Sequence, residues 1–311
     1  MKRNLVIGTR RSPLALWQAE YIKEALILHD PDLSVRLEHI VTQGDKILDV
    51  PLARIGGKGL FTSELESRLL SGTIDLAVHS LKDLPAALPD GLCLAAVTAR
   101  TWVHDALVSN RYKSLAALPQ GARVGTSSLR RKAQLLALRP DLTVCDLRGN
   151  VDTRLKKLDD GEYDAIILAE AGLNRLNRGD RITELLSTAT MIPAVGQGAL
   201  AVETRSDDED LKQALSFLSD EETTAATTAE RAFLAAINGS CQVPVGVYGS
   251  AKGEELTLSC IIAAPDGSRV FRHQATGPLS DSAALGQTAA RTLLDEGGRQ
   301  ILTDLGITPA E

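Results

Sequence analysis

Six basic side chains stand out by where they fall. Thr9-Arg10-Arg11-Ser12 follows the apolar run 5–8, and His79-Ser80-Leu81-Lys82-Asp83 follows Val78. Gly125-Thr126-Ser127-Ser128-Leu129-Arg130-Arg131 follows Val124, and Asp146-Leu147-Arg148-Gly149-Asn150 closes another apolar run, with Arg154 one turn further on. Guanidinium forks, hydroxyls and the orphan N–H groups of a helix start are all devices for holding anions. A single Arg reads most simply as a solvated surface charge. Arg10, Lys82, Arg130, Arg131, Arg148 and Arg154 together, in a chain of net charge −6, imply a locally basic cleft for a ligand with several anionic groups. An Arg–carboxylate pair at about 4 Å and an effective dielectric near 20 gains on the order of 4 kcal/mol before desolvation. Cations converging on one cleft repel by similar amounts, so the cluster is costly unless a polyanion fills it.

Two further side chains could react. Asp83 is the acid among these cations; the plainer reading is a turn or capping Asp before Leu84-Pro85. Cys241 lies in Gly239-Ser240-Cys241-Gln242-Val243-Pro244, a loop in which a thiolate is reachable; a buried, inert thiol is the alternative. Cys93, Cys145 and Cys260 lie in apolar strand-like runs and are expected in the core. No C-x-x-C pair occurs, the five His are scattered without metal-ligand spacing, and His79 reads equally well as a packed, hydrogen-bonded residue. Gly56-Gly57-Lys58-Gly59 lacks the spacing and hydroxyl of a phosphate-binding loop, and no G-x-G-x-x-G opens a helix after a strand.

The elements that must position these groups alternate between strands and helices. Residues 5–8 read as a buried strand, and Ser12-Pro13 opens a helix with Ser as cap and Pro at its first position. Strands are expected at 35–41 and 74–78. Ser63 with Glu66 resembles a capping box for a helix to Leu70 that Gly72 ends. The pattern restarts after about residue 100, with strands at 123–126, 142–146 and 165–169 and helices capped by Ser127-Ser128 and by Asn150. Strands joined through helices predict largely parallel sheets. Two such units suggest two α/β domains around a cleft, with hinges near 100–105 and 193–198 and a strand at 199–203 returning to the first sheet. Beyond residue 220 come an Ala-rich helix at 223–237, strands at 245–251, 256–263 and 269–274 with a Pro265-Asp266-Gly267 turn, and a helix at 282–295, a small α+β domain with an antiparallel sheet. The expected division is 1–99 plus 199–218, 104–193, and 220–311.

Composition narrows the function. The chain has 311 residues, 44% hydrophobic and 24% charged, with only 3% aromatic, so the cores are aliphatic. An acidic chain with little aromatic interleaving speaks against nucleic acid and anionic lipid as partners. Neither long uncharged stretch, 185–202 or 233–251, reads as a membrane span, and the first residues do not form a secretory signal, so the cytoplasm is the expected location. A non-catalytic solute-binding protein for a dicarboxylate fits the two-lobed pattern and the arginines, but not the third domain or Cys241.

Taken in order, the motifs resemble those of the porphobilinogen deaminases, or hydroxymethylbilane synthases. The resemblance runs essentially end to end. It rests on Gly8-Thr9-Arg10-Arg11-Ser12-Pro13-Leu14-Ala15-Leu16-Trp17-Gln18-Ala19, Gly56-Gly57-Lys58-Gly59-Leu60-Phe61, Ala77-Val78-His79-Ser80-Leu81-Lys82-Asp83-Leu84-Pro85, the 125–131 and 147–155 runs, Pro193-Ala194-Val195-Gly196-Gln197-Gly198-Ala199, and the Cys241 loop. It implies two periplasmic-binding-protein-like domains around a cleft and a third that carries the attachment cysteine. It also implies a transferase that joins four porphobilinogen molecules head to tail into hydroxymethylbilane and releases ammonia, primed by a covalent dipyrromethane cofactor. By the resemblance, Asp83 is the catalytic carboxylate and Cys241 the thioether attachment point. Arg10, Ser12, Gln18, Ser80, Lys82, Thr126, Ser127, Ser128, Arg130, Arg131, Arg148, Gly149, Arg154 and Gln197 would bind cofactor and substrate, with Arg11 in a supporting role and Lys58 and Phe61 on an active-site loop. The expected partner is the small-molecule substrate alone, with no metal, no nucleic acid and no membrane, and the chain is expected to be a monomer. One departure falls at the hinge: Arg100-Thr101-Trp102-Val103-His104-Asp105 keeps the Arg and the His-Asp ending but lacks the acidic and Pro residues expected between them.

Overall fold

The computed structural model describes residues 4–46, 60–239 and 243–309. Strands β1 (Asn4–Arg10), β2 (Ser34–Ile40), β3 (Leu76–Ser80), β4 (Leu92–Val97) and β10 (Leu200–Arg205) make one five-stranded sheet, ordered β2-β1-β3-β10-β4. Strands β5 (Asp105–Val108), β6 (Arg123–Gly125), β7 (Thr143–Cys145), β8 (Ala165–Ala169) and β9 (Glu184–Leu186) make a second, ordered β7-β6-β8-β5-β9. The two sheets share one plan: three parallel strands, then a strand running against both its neighbours. In the first sheet that strand is β10, antiparallel to β3 and β4; in the second it is β5, antiparallel to β8 and β9. The sheets are therefore mixed rather than largely parallel. Two chain crossings make the difference, because β5 and β10 each enter straight from a segment linking the sheets, without a helical crossover to turn them parallel.

Three helix starts follow the sequence signals. Helix α1 (Pro13–His29) begins on Ser12, whose side chain accepts from the Ala15 N–H, with Pro at the first position, where its missing N–H costs nothing. Ser128 caps α3 (Leu129–Leu138) by accepting from Arg131 N, and Asn150 caps α4 (Val151–Asp159) by accepting from Thr153 N. The exception is α2 (Ser63–Leu70). Its cap is Thr62, which makes no side-chain cap bond, so the expected Ser63–Glu66 box does not form. Glu66 is instead buried, beside the buried pair His79–Glu203. Ser63 stands one position inside the helix rather than at its cap, so it cannot pair with Glu66 as a box.

The second sheet adds the short helix α5 (Glu170–Arg175), which packs toward α1, and α6 (Glu209–Leu215) follows β10. Helices α7 (Glu221–Ala236) and α8 (Ser282–Leu293) then cover the antiparallel sheet β11 (Val245–Lys252), β12 (Glu255–Ala263) and β13 (Val270–Pro278). Phe233, Leu256, Leu258, Ile262 and Leu293 fill that core at zero exposure. Of the cysteines expected inside, only Cys260 is fully buried, and burial pushes its thiol well up; Cys93 and Cys145 are half-buried. Cys145 ends a three-residue edge strand, where period-two burial does not enclose it. No helix among the described residues is long and apolar enough to cross a membrane.

Candidate active site

The strand ends converge where the two sheets meet. Ser80 ends β3, and Leu81–Asp83 form a 3-10 turn that carries Lys82 and Asp83 out of the sheet. Asp83 is exposed and Lys82 half-buried. Burial of the Lys82 amine pushes its pKa down to about 8; Arg131 and Arg130 push the same way, while Asp83 and Asp105 oppose them. The buried Gln18 side chain donates to Ser80 Oγ at 2.7 Å, pinning α1 to the end of β3. Arg10 ends β1 and lies 4.3 Å from the centroid of the Phe61 ring.

From the second sheet, the α3 start contributes Thr126, Ser127 and Ser128. Their hydroxyls are largely consumed locally: Ser127 Oγ donates to Leu147 O and accepts from Leu147 N, and Thr126 Oγ1 accepts from Ser128 N. Leu147 is thereby tied to α3, which places Arg148 at the same rim. Gly149 has φ +115 and faces Thr153, so a side chain there would be both strained and crowded. Its carbonyl accepts from Arg154 Nε at 2.8 Å. Burial lowers the Arg154 guanidinium to about 10, with Arg131 and Arg148 adding to the effect and Asp83 opposing it. Arg148 Nη1 is buried with no hydrogen-bond partner among the described residues. A buried donor without an acceptor costs about 1–3 kcal/mol, and a ligand carboxylate would remove that cost.

Arg130 and Arg131 are engaged elsewhere. Both reach the fully buried carboxylate of Asp105: Arg130 Nη1 donates to Oδ2 at 2.6 Å, and Arg131 Nε and Nη2 donate to Oδ1 at 3.0 and 2.7 Å. Burial alone would raise the Asp105 pKa, but the two guanidiniums outweigh it and hold the group far below the usual carboxylate range. The pair also donates to the carbonyls of Ile192 and Ile167. Gln197, buried between the sheets, donates to Asp105 Oδ1 and Val103 O and accepts from Lys82 Nζ at 3.4 Å. Asp105 carries no sequence signal for this position, because an acid at a strand start matches no anion-binding pattern. Arg175 is a second such residue: its guanidinium lies 5.7 Å from the Trp17 ring centroid, its Nη2 donates to Gly198 O, and burial lowers its pKa to about 10. No apolar strand directly precedes it in a way that marks a strand-end motif.

At the linking segment, Trp102 is exposed with φ +55, a left-handed conformation rare outside glycine. His104 Nδ1 lies 2.9 Å from Glu170 Oε2, and Arg100 makes a two-pronged buried pair with Glu230 at 2.7 and 2.8 Å. Glu230 also accepts from Gly196 N and Gly249 N, which ties the third domain to both linking segments. Cys241 and Lys58 lie outside the described residues. Among the described residues no group of His, Cys, Asp and Glu is arranged to hold a metal.

The chain therefore presents a cationic rim with an exposed carboxylate at the junction of two α/β units. Residues 5–213 match the model of the porphobilinogen deaminase dipyromethane cofactor binding domain, and residues 224–295 that of the porphobilinogen deaminase C-terminal domain. The chain belongs to the porphobilinogen deaminase family. A porphobilinogen deaminase of Roseiflexus sp. (strain RS-1) is 55% identical over 302 residues, covering 97% of this chain and 99% of that protein. One of Geobacter sp. (strain M21) is 51% identical over 303 residues, covering 97% and 95%. Among solved structures, the methionine binding protein MetQ gives a TM-score of 0.44 at 15% identity, over 68% of this chain and 89% of that one. Membership makes this chain a transferase of tetrapyrrole biosynthesis that acts on porphobilinogen with a dipyrromethane cofactor. The donors present suit such a cofactor: the unpartnered Arg148 Nη1 and the Arg154 head are what a carboxylate-bearing pyrrole chain would engage.

Proposed function

We propose that Asp83 carries the joining chemistry, that Arg10, Ser12, Lys82, Arg148 and Arg154 hold acetate and propionate groups directly, and that Cys241 holds the cofactor through a thioether. The observation that supports this best is electrostatic: exposed Asp83 acts on both Lys82 of its own turn and Arg154 of the opposite α/β unit. A carboxylate in that position serves both halves of each joining. Porphobilinogen breaks its C–N bond, and ammonia leaves with a proton that Asp83 relays to it. The ring is left as a cationic azafulvene, whose N–H the carboxylate stabilises by standing preorganised beside it. When bound, the cofactor supplies the primer, a pyrrole carbon at which the first unit is added. With the cofactor bound, Asp83 would be the base placed to take the proton that the joining releases. One Asp serves every cycle if the chain moves past it while the arginines hold successive carboxylates.

Gln18 and Ser80 act by fixing the turn, and Thr126, Ser127, Ser128 and Gly149 by fixing the arginine-bearing rim. Phe61 stacks on the Arg10 guanidinium. The proposed units are 1–99 with 199–218, 104–193 and 220–311, a division supported by the three separate sheets. The same reading has the enzyme working in the cytoplasm as a monomer on a free small molecule.

Asp83→Asn is the direct test. The amide keeps the shape and loses the charge, so ammonia release from porphobilinogen should fall by about 10²–10³ or more with the melting temperature unchanged. Release within a few-fold of the parent would remove Asp83 from the chemistry.

A further inference from the structure

We propose that Asp105 and Gln197 are positioning residues that link the Arg130–Arg131 pair to Lys82 across both segments joining the α/β units. The proposal rests on the reading above only in placing Lys82 and Asp83 at the reacting turn.

The chain of contacts is continuous. Arg130 and Arg131 stand on the first turn of α3 and are spent on Asp105, the first residue of β5, where the chain enters the second sheet. Gln197 lies on the segment returning to the first sheet. Its amide nitrogen is shared between Asp105 Oδ1 at 3.1 Å and Val103 O at 2.8 Å, and its amide oxygen accepts from Lys82 Nζ. Asp105, Arg130, Arg131 and Gln197 are all more than nine-tenths buried. Water screens such groups little, so a change of charge at one end is felt at the other.

Asp105 thus does two things. It offsets the repulsion between two guanidiniums in a site already rich in cations by holding both on one carboxylate. It also offsets their effect on Lys82. The charged groups that face the Lys82 amine are Asp83 on its own turn, Arg131 and Arg130 on α3, and Asp105 on β5; the two acids favour the ammonium and the two arginines oppose it. Negative charge arriving beside Arg130 and Arg131, as a substrate carboxylate would, works on Lys82 in the same sense as Asp105. Loading of one α/β unit therefore reaches the turn of the other without either sheet moving.

The test reads Lys82 itself rather than turnover. The purified holoenzyme is labelled with trace acetic anhydride at a series of pH values, and the fraction acetylated at Lys82 is followed by peptide mass spectrometry. In Asp105→Asn the midpoint should fall by about one pH unit, as expected for losing one nearby opposite charge. In Gln197→Met the ammonium loses its acceptor, and the midpoint should fall by less. Gln197→Met leaves the Asp105–arginine pairs intact, so it decides the matter alone if Asp105→Asn does not fold. An unchanged Lys82 midpoint in the folded variants overturns the proposal, whatever happens to turnover or melting temperature, because a purely structural role would alter those and not the titration. A shifted midpoint with unaltered ammonia release would uphold the link and instead remove Lys82 from the reaction.

Discussion

At the scale of single residues, the site separates cations that are free to bind from cations already bound. Arg148 and Arg154 keep donors for a ligand, whereas Arg130 and Arg131 are held by Asp105. Charge-assisted hydrogen bonds contribute about 1.5–3 kcal/mol each, so Arg148→Leu or Arg154→Leu should weaken holding of the growing chain by roughly ten- to a hundred-fold. Elongation should then stall at particular lengths, visible as accumulated enzyme-bound intermediates by native gel or mass spectrometry. An unchanged intermediate distribution in both variants would show these arginines to be ordinary surface charges. A second residue-scale prediction concerns Glu66. Burial raises its pKa above the ordinary 4.5; the Thr62 contact and His79 lower it, and Glu203 and Glu64 raise it further. A raised carboxyl pKa in the folded state means the protein is best served by the protonated form. That stability is fully present below about pH 4.5 and is lost as pH rises through the folded-state value. Glu66→Gln should abolish this drop, so melting temperatures of the two proteins should diverge as pH is raised above that window, the variant being the more stable. Equal slopes would place Glu66 in solvent contact.

At the scale of elements, the caps do the aiming. Asn150 fixes the start of α4 and with it the bearing of Arg154. Asn150→Ala should cost about 1 kcal/mol, seen as a lower melting temperature, and should weaken substrate holding less than removing Arg154 itself. These starts were legible because Ser-Pro, Ser-Ser and Asn before an apolar period carry their mechanism in a few adjacent residues. The Ser63–Glu66 box was not, because the competing use of Glu66 is set by His79 and Glu203, which lie on distant strands. Strands β4, β5 and β9 carry no clear local signal for a related reason. β5 is four residues long and begins with Asp, and the buried arginines of α3, with the Gln197 amide, make an acid tolerable there. The antiparallel direction of β5 and β10 likewise depends on where the chain crosses between sheets, which no local pattern records. The strand-end placement of the cations and of Asp83 was readable from spacing; the contacts of Asp105 and Arg175 were not, since their partners lie across the junction.

At the scale of the whole molecule, the two linking segments are the point where all three domains meet. Arg100 on one segment and Gly196 on the other both bind Glu230 of α7, and burial that would lower the Arg100 pKa is outweighed by that carboxylate, which raises it. Removing one partner strands a buried charge, a loss of about 3–5 kcal/mol, so Arg100→Gln should lower the melting temperature well beyond any surface substitution. A melting temperature within a degree or so of the parent would show that the pair does not hold the third domain. The proposed chemistry has a covalently held pyrrole chain grow within this basic junction, and intact mass reads that directly. The purified protein should exceed its sequence mass by one dipyrromethane. Added porphobilinogen should raise the mass in single-pyrrole steps, and both the offset and the steps should vanish in Cys241→Ser. A fully active preparation whose mass equals that of the sequence, or one that shows no stepwise increments, would contradict the account.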